Sequence, residues 1–474
     1  MISERLQRFK YVLSDLVAVS IGWLSFNYLR FNLAEYKAMI SYDTFGGFLS
    51  SPPVVLGICI VPLLALSMFW LSGYYNIPFR KSRLQEMTTT ILSTLLVSLL
   101  TFFLILLNDM LQNSVFNIEV FGWLWLCLFI PTYLFRFVIT THATHKFHNR
   151  QWAVNTLVIG NGRDAHKFVK RLNTDSVSLG YHIVGYVDIP GEKAVERNGL
   201  PVYQITDLDS IVAEKQIREF LVLPTKSRSR ATIDAINQLF PYNLPIKISP
   251  DLYHILLTKV NLSNLTGEPL VDVAGDNMTE SATNVKRLVD VVVSAIALLL
   301  LMPVYAVIAI MIKRDSRGDV IYRQERLGYR NKPFNILKFR TMVRDAEADG
   351  EPQLSTDDDP RITHIGKILR KYRLDELPQF WNILRGDMSL VGPRPERKYY
   401  VDQIMKRAPY YALLHQVRPG LTSLGMVKFG YAKNVDEMLK RLKYDIIYIE
   451  NMSLINDLKI MVYTIKTVIS GKGL

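Results

Sequence analysis

The chain has 474 residues, enough for about two or three domains, and 49% of them are hydrophobic. A mean hydropathy of +0.13 is high for a water-soluble protein and favours a membrane protein. The formal net charge of +13 comes without the basic and aromatic stripe or the fold signature of a nucleic-acid-binding protein. We therefore exclude nucleic acid as a partner and assign the excess charge to contact with anionic lipid headgroups.

Four apolar runs occupy residues 1–145, at 12–29, 54–75, 88–107 and 120–135. Each is close to the ~20 residues that a helix needs to cross ~30 Å of hydrocarbon. Asp15 in the first run is costly in lipid, so it either faces the other helices or lies shallow at the interface. The runs predict a multi-pass membrane protein that begins with a four-helix transmembrane bundle.

The distribution of basic residues predicts how the bundle is oriented. Lysine and arginine precede the first run, lie between the second and third, and follow the fourth, whereas residues 108–119 contain none. By the positive-inside rule, both ends of the bundle lie in the cytoplasm. The two cysteines, Cys59 and Cys127, fall inside predicted spans, which excludes a disulfide framework and a cysteine metal site.

Residues 152–260 have the pattern of a Rossmann-like cytoplasmic domain. A buried strand at 155–159 precedes Gly160-Asn161-Gly162, and a helix follows. Such a turn lets a pyrophosphate approach the helix N-terminus, and Asp188, after the second strand, is placed to meet a ribose. The same glycines also serve tight strand-to-helix packing without a ligand. A nucleotide at Gly160, Gly162 and Asp188 and a purely structural turn therefore both stay open.

A linker is predicted at 261–283, and an apolar segment with an internal proline follows it. Residues 291–312 carry no charge, Pro303 lies near their middle, and basic residues flank both ends. A helix that dips into one leaflet, bends at Pro303 and returns satisfies both the charge and the kink. We predict a re-entrant, proline-broken helix at 286–313, with a kinked fifth span as the alternative.

Residues 338–361 supply cations in patterns that suit phosphate. In Lys338-Phe339-Arg340 the strand period of two puts both cations on one face and Phe339 on the other, as a diphosphate site beside a core requires. A solvated basic strand is the simpler alternative. Asp359-Pro360-Arg361 follows, and Arg370 lies further along the chain.

The adjacent carboxylates Asp375 and Glu376 are the leading catalytic candidates. They lie five residues after Arg370 and just before Pro378, a residue that commonly opens a helix. The positive helix end and the nearby cations favour an ionised, nucleophilic Asp375, while Glu376 suits Mg²⁺ together with substrate phosphates. An isolated Asp-Glu pair on a helix surface is the bland alternative.

Residues 284–474 resemble the bacterial sugar transferases of the monotopic phosphoglycosyl transferase superfamily. Five ordered motifs carry the resemblance: the proline-broken apolar helix and residues 338–342, 359–363, 374–379 and 386–395. The preceding spans and Rossmann-like domain are similar to the long form, the polyisoprenyl-phosphate hexose-1-phosphate transferases, so the resemblance covers essentially the whole chain. It implies a compact α/β catalytic domain at 284–474.

The resemblance implies transfer of a sugar-1-phosphate from a UDP-sugar to undecaprenyl phosphate, with release of UMP. It assigns Asp375 as the nucleophile that forms a covalent phosphosugar-aspartyl intermediate, and Glu376 as the Mg²⁺ ligand. It places substrate-binding roles on Lys338, Arg340, Arg361, Arg370 and Arg394.

The resemblance also implies a location and a pathway. The location is the bacterial inner membrane, with the catalytic domain on the cytoplasmic face. The reaction would be the priming step of exopolysaccharide, capsule or O-antigen synthesis. The lipid bilayer is an implied partner, and a second copy of the chain, forming a homodimer, is a candidate one.

One loop departs from the family pattern. The family commonly ends this loop with Gly-Arg, whereas residues 419–431 here end in Gly430-Tyr431 and contain Lys428 as a basic residue. Lys428 replaces the charge of the missing arginine but not its bidentate geometry, and we take it as a further substrate-binding candidate. The departure also supports the alternative of a catalytically inactive membrane scaffold or sensor with a transferase fold.

Overall fold

The computed structural model describes residues 4–33, 42–76, 83–106, 114–148, 152–174, 180–189, 199–223, 230–248, 271–272, 278–343, 346 and 359–469. The chain divides into two compact units. The first comprises residues 1–153, 172–180 and 279–285, and the second comprises residues 154–171, 181–278 and 286–474.

The first unit is helical. Its helices are α1 (Glu4–Asn32), α2 (Phe45–Leu49), α3 (Pro52–Leu71), α4 (Arg83–Thr101), which continues as a π-helical turn (Phe102–Leu106), and α5 (Ser114–His148). Four segments are long and apolar enough to cross a membrane: Glu4–Asn32, Pro52–Leu71, Arg83–Leu104 and Asn117–Lys146. The predicted set of four apolar helices is therefore confirmed, although position 107 lies outside the described residues.

A buried polar cluster joins the helices of this unit. Asp15 is fully buried and accepts hydrogen bonds from Arg136 Nε at 2.9 Å, from Arg136 Nη2 at 2.7 Å and from the Tyr75 hydroxyl at 2.7 Å. Glu86 accepts from the Tyr74 hydroxyl at 2.6 Å. Asp15 therefore faces the other helices and does not lie shallow at the membrane interface.

The α/β part of the second unit contains a six-stranded sheet. Its strands are β1 (Val154–Ile159), β2 (Tyr181–Val187), β3 (Val202–Tyr203), β4 (Glu219–Val222), β5 (Ile246–Ile248) and β6 (Val271–Asp272), in the order β3-β2-β1-β4-β5-β6. All pair in parallel except β5 with β6. Helices α6 (Arg163–Thr174), α7 (Leu208–Glu214) and α8 (Arg230–Leu239) connect them.

This strand order is that of a doubly wound sheet, because the chain runs outward from β1 in one direction and then in the other. The predicted linker at 261–283 lies mostly outside the described residues. Two of its residues form β6, and its last residues begin the next helix.

A bent helix pair follows, α9 (Glu280–Leu300) and α10 (Met302–Asp315), whose axes differ by 61°. Residues 280–285 of α9 belong to the first unit, and the rest of the pair belongs to the second. The break falls at Leu301, and Pro303 lies in the first turn of α10, where its missing N–H costs nothing. The bend predicted near Pro303 is observed. Whether the pair returns to the same membrane face stays a prediction.

The remaining elements pack around two apolar clusters, one that includes Ile383, Val391 and Leu442 and one that includes Ile308, Phe339 and Leu369. They are β7 (Ile321–Leu327), β8 (Pro333–Phe339), α11 (His364–Lys371), a 3₁₀ turn (Leu374–Glu376), α12 (Gln379–Arg385), β9 (Ser389–Val391), α13 (Lys398–Arg407), a 3₁₀ helix (Pro409–Gln416), β10 (Gly420–Thr422), α14 (Leu424–Lys428), α15 (Val435–Glu450) and α16 (Leu454–Ile469). β7 and β8 form an antiparallel hairpin, and β9 pairs with β10 in parallel.

Polar side chains of α9 hydrogen-bond to the backbone of α12 and of β9. Lys286 donates to the carbonyl of Val391 at 2.9 Å, and Arg287 donates to the carbonyl of Ile383 at 2.7 Å. Asp290 accepts from the backbone N–H of Leu390 at 3.0 Å. The start of the apolar helix therefore positions the backbone that leads into Pro393-Arg394-Pro395.

Candidate active site

The two adjacent carboxylates lie on the 3₁₀ turn between α11 and α12. Arg373, in the left-handed region at φ +54°, reverses the chain after α11, and Pro378 caps the start of α12. This tight connection turns both side chains inward: Asp375 is 7% exposed and Glu376 5%. The alternative of a solvated Asp-Glu pair on a helix surface therefore does not apply to this chain.

Three donors converge on one oxygen of Glu376. Lys338 Nζ lies 3.2 Å from Oε1, Arg394 Nη1 lies 3.5 Å from it, and the Tyr431 hydroxyl lies 3.3 Å from it. Among the described residues, the ion pairs and hydrogen bonds of Glu376 all fall on Oε1. Its second oxygen, Oε2, is the one left to a ligand.

Asp375 has a different environment. Among the residues that the structure describes, its carboxylate accepts no hydrogen bond, and its one ion pair is with Lys338 Nζ at 3.9 Å. Burial raises the pKa of Asp375 to about 6, although Lys338 opposes the rise. Burial acts on Glu376 too, but Lys338 and Arg394 outweigh it and hold the pKa of Glu376 below its ordinary value. At neutral pH both are ionised, and Asp375 is the more basic.

Asp375 lines a cavity of about 1320 Å³ with a strongly basic lining, whereas Glu376 is not among the lining residues. Ten lysine and arginine side chains and three carboxylates line it, so it attracts anions. The lining brings together five of the predicted site residues, which are Lys338, Arg340, Arg370, Asp375 and Arg394. This volume and charge suit a ligand as large and as anionic as a nucleotide diphosphate sugar.

Lys338 and Arg340 lie on the same face, as the alternation of β8 predicts. Phe339 points the other way and packs in a core cluster with Ile308 and Leu369. Arg340, however, donates to the backbone carbonyls of Arg317 at 2.6 Å and Ser316 at 2.8 Å, and so caps the end of α10. Its guanidinium is thus already bonded to protein.

Arg370 and Arg361 are placed differently. Arg370 Nε donates to Thr341 Oγ1 at 2.9 Å, and its positive charge acts on Asp375. Arg361 forms an ion pair with Asp359 at 2.6 Å and is not among the residues that line the cavity. The structure therefore brings Arg370, but not Arg361, to the carboxylates.

Lys428 is exposed at the end of α14 and does not line the cavity. Gly430, at φ +90°, turns the chain after the helix, so that Tyr431 enters the cavity wall. Glycine allows this turn because it adopts a positive φ at no steric cost. The residue that replaces the family arginine, rather than the nearby lysine, reaches Glu376.

Several residues of the site were not predicted from the sequence. Tyr431 and Arg373 adjoin Glu376, and Glu396 pairs with Arg326 at 3.1 Å and Arg441 at 2.6 Å in the cavity wall. For Tyr431, the available sequence signal was the Gly-Tyr that stands where the family has Gly-Arg. The Glu396 network joins distant parts of the chain and leaves no local pattern.

A magnesium ion is implied by the resemblance, and the residues fit it in one way. Within the described ranges, no group of three or more His, Cys, Asp or Glu side chains is placed to hold a metal. Mg²⁺ usually keeps several waters and takes one or two carboxylates together with substrate phosphates. Glu376 Oε2 and Asp375 suit an ion that enters with a diphosphate, not a site built from protein alone.

The candidate nucleotide site of the sheet lies at the carboxyl ends of β1 and β2. Gly160, at φ +115°, donates its N–H to the carbonyl of Val187 at 2.8 Å, next to Asp188. Gly162 follows, and Asn161 Oδ1 lies 2.7 Å from His166 Nε2, with both side chains buried. The turn brings the predicted residues to the edge where doubly wound sheets bind ligands, and a nucleotide there stays a prediction.

Comparisons with known proteins agree with this arrangement. The family model described as "Bacterial sugar transferase" matches residues 281–471, and the model described as "CoA-binding domain" matches residues 71–250. The UDP-N-acetylgalactosamine-undecaprenyl-phosphate N-acetylgalactosaminephosphotransferase of Aeromonas hydrophila is 40% identical over 47% of this chain and 53% of its own length. The chain thus spans about half the length of that relative.

Two further relatives extend the match. The UDP-galactose-lipid carrier transferase of Erwinia amylovora is 27% identical over 94% of both chains. The UDP-glucose:undecaprenyl-phosphate glucose-1-phosphate transferase of Caulobacter vibrioides is 43% identical over 39% of this chain and 70% of its own. The region that matches the family model, 281–471, includes the carboxylate pair and the residues that line the basic cavity. The chain belongs to the bacterial sugar transferase family.

Proposed function

We propose that this protein transfers a sugar-1-phosphate from a UDP-sugar to undecaprenyl phosphate and releases UMP. The observation that carries the proposal is a buried Asp375 whose carboxylate accepts no hydrogen bond from any described residue, at a cavity whose charged side chains are mostly cationic. The Aeromonas and Caulobacter relatives, which are named for a UDP-sugar and for undecaprenyl phosphate, support both substrate classes.

In the proposed first step, a carboxylate oxygen of Asp375 attacks the phosphorus that bears the sugar. A bond forms between that oxygen and phosphorus, the bond from phosphorus to the UMP oxygen breaks, and UMP leaves with the electron pair. The raised pKa of Asp375 favours attack, because a more basic carboxylate is a better nucleophile. Lys338 and Arg394 would hold the phosphate oxygens as charge develops on them.

In the second step, a phosphate oxygen of undecaprenyl phosphate attacks the same phosphorus. The bond to Asp375 breaks, the carboxylate is restored, and a lipid-linked diphosphosugar forms. Mg²⁺, when bound with the diphosphate, would supply neutralisation of the leaving phosphate, and Glu376 is the residue to hold it. Both steps use in-line displacement, so one cavity serves them in turn.

The membrane arrangement is part of the proposal. Apolar residues of α9 and α10 are exposed, including Val293, Leu299, Leu300 and Val307, as a lipid-facing helix pair requires. The 61° bend at Leu301 and the basic residues at both ends favour entry and return on the cytoplasmic side of the bacterial inner membrane. Such an arrangement would bring the catalytic residues close to the lipid acceptor, as a priming step of surface polysaccharide synthesis would need.

The test is UMP release by the full chain in detergent or nanodiscs with Mg²⁺, from a panel of UDP-sugars, with and without undecaprenyl phosphate. We expect sustained release that depends on the lipid with one sugar or a few related ones. Absence of release with every donor would contradict the proposal and favour the inactive scaffold.

A further inference from the structure

Tyr431 occupies an unusual position beside the catalytic pair. Its hydroxyl lies 3.3 Å from Glu376 Oε1, and its ring lies under two guanidinium groups, with Cζ of Arg373 and Cζ of Arg394 each 4.8 Å from the ring centroid. The ring also lines the cavity. One side chain thus contacts one carboxylate and two cations of the site.

We infer that Tyr431 is a positioning residue for the phosphotransfer, which fixes Arg394 and Arg373 around Glu376 so that these two arginines supply the positive charge for the substrate phosphates. This inference rests on the proposed function. In this view the loop at 419–431 orients two arginines and does not itself supply a positive charge to the substrate.

The two arginines need such support. Arg394 contacts Glu376 only at 3.5 Å, which is long for a charge-assisted hydrogen bond. Arg373 is held at a positive φ, and its buried Nε has no hydrogen-bond partner among the described residues. A guanidinium stacked on a ring keeps its plane while its N–H groups stay available to an anion. The ring therefore restricts both cations without using up their donors.

A neutral residue fits this position better than a cation. A third positive charge here would lie about 5 Å from two guanidiniums, and like charges at that distance repel each other. The phenol avoids this repulsion, because its ring and hydroxyl carry no formal charge. The hydroxyl donates to Glu376 Oε1 at 3.3 Å.

The experiment compares Tyr431→Leu, Tyr431→Phe and Tyr431→Arg with wild type in the full chain. Tyr410→Leu is the matched control, because Tyr410 is similarly exposed, 40% against 37%, and does not line the cavity. The readouts are kcat and KM for UMP release, the affinity for UMP alone by calorimetry, and the thermal midpoint.

We expect Tyr431→Leu to lower kcat/KM about 10- to 100-fold and UMP affinity several-fold, since misplaced cations lose contact with phosphate. Tyr431→Phe keeps the ring and should stay within about threefold of wild type. Tyr431→Arg should be no better than Tyr431→Leu, and Tyr410→Leu should match wild type.

Two results would overturn the inference. One is Tyr431→Arg at or above wild-type kcat/KM, which would mean that the loop needs charge. The other is Tyr431→Leu with wild-type kcat/KM and UMP affinity, which would remove the inference and leave the function standing. A wild type that binds UMP but turns over no donor would instead remove the function, and the loss of UMP affinity in Tyr431→Leu would still decide the inference.

Discussion

The helical unit and the basic cavity each bury an aspartate beside an arginine, but they treat it differently. Asp15 receives three hydrogen bonds of 2.7 to 2.9 Å, from Arg136 and Tyr75. Asp375 is nearly as buried, yet among the described residues it accepts none and has one ion pair at 3.9 Å. A carboxylate whose oxygens already accept several short hydrogen bonds has a structural role. A carboxylate that accepts none keeps its lone pairs available for a reaction.

The contrast has an energetic basis. A buried charge costs several kcal/mol unless good geometry and further hydrogen bonds compensate it. Asp15 has that compensation from the fork of Arg136. Asp375 has only part of it, and the shortfall appears as a pKa raised to about 6 by burial. The missing compensation leaves the carboxylate of Asp375 more basic and its lone pairs open to an electrophile.

The largest effect on activity is expected when the reactive carboxylate is removed. Asp375→Asn keeps the volume but removes the nucleophile, so transfer should fall at least about 10³-fold. UMP release measures this, and the thermal midpoint should stay near that of wild type. Asp402→Asn is the matched control, because Asp402 is an exposed carboxylate paired with Lys398. Wild-type rates in Asp375→Asn would exclude the covalent mechanism.

The bundle aspartate should behave in the opposite way. Asp15→Asn leaves Arg136 buried without its counter-charge and should destabilise the protein by about 3–5 kcal/mol. The thermal midpoint in detergent should fall, while kcat per folded molecule stays unchanged. The double variant Asp15→Leu with Arg136→Met should recover part of the stability. An activity loss without a lower midpoint would assign Asp15 to the chemistry.

The pH dependence sharpens the difference in reactivity. Because burial raises the pKa of Asp375 to about 6, the carboxylate takes up a proton as the pH falls through that value and loses its nucleophilic lone pair. Below about pH 6, kcat/KM should fall about tenfold per pH unit. A profile that stays flat down to pH 4 would mean that Asp375 has an ordinary pKa in the free enzyme.

The smallest effect is expected at Lys428. Its side chain is exposed and does not line the cavity, so Lys428→Ala should change kcat/KM by no more than about twofold. Lys338→Ala, which removes a cation 3.2 Å from Glu376, is the comparison. A large loss in Lys428→Ala would show that the loop moves when substrate binds.

Local patterns predicted much of this molecule. The apolar runs gave the four helices, Pro303 marked the bend, and the alternation in β8 put Lys338 and Arg340 on one face. These features depend on residues near one another in the chain. The doubly wound order of the sheet also agrees with the Rossmann-like pattern at 152–260.

What the sequence did not predict depends on contacts between distant residues. Arg340 caps α10 because the carbonyls of Ser316 and Arg317, at the end of that helix, lie within hydrogen-bond distance of its guanidinium. Glu396 forms an ion pair with Arg441, 45 residues further along the chain. Tyr431 reaches Glu376 only because Gly430 turns the chain. No sequence period or motif reports contacts of this kind. Lys428 was therefore predicted to bind substrate from its charge alone.

The central claim is that Asp375 forms a covalent intermediate, and isotope exchange tests it most directly. Wild-type protein is incubated with the donor UDP-sugar and labelled UMP, with no undecaprenyl phosphate present. A covalent phosphosugar-aspartyl intermediate predicts that label enters the UDP-sugar, and that Asp375→Asn abolishes this exchange. Lipid-dependent transfer by the wild type with no exchange would contradict the account and indicate direct attack by the lipid phosphate.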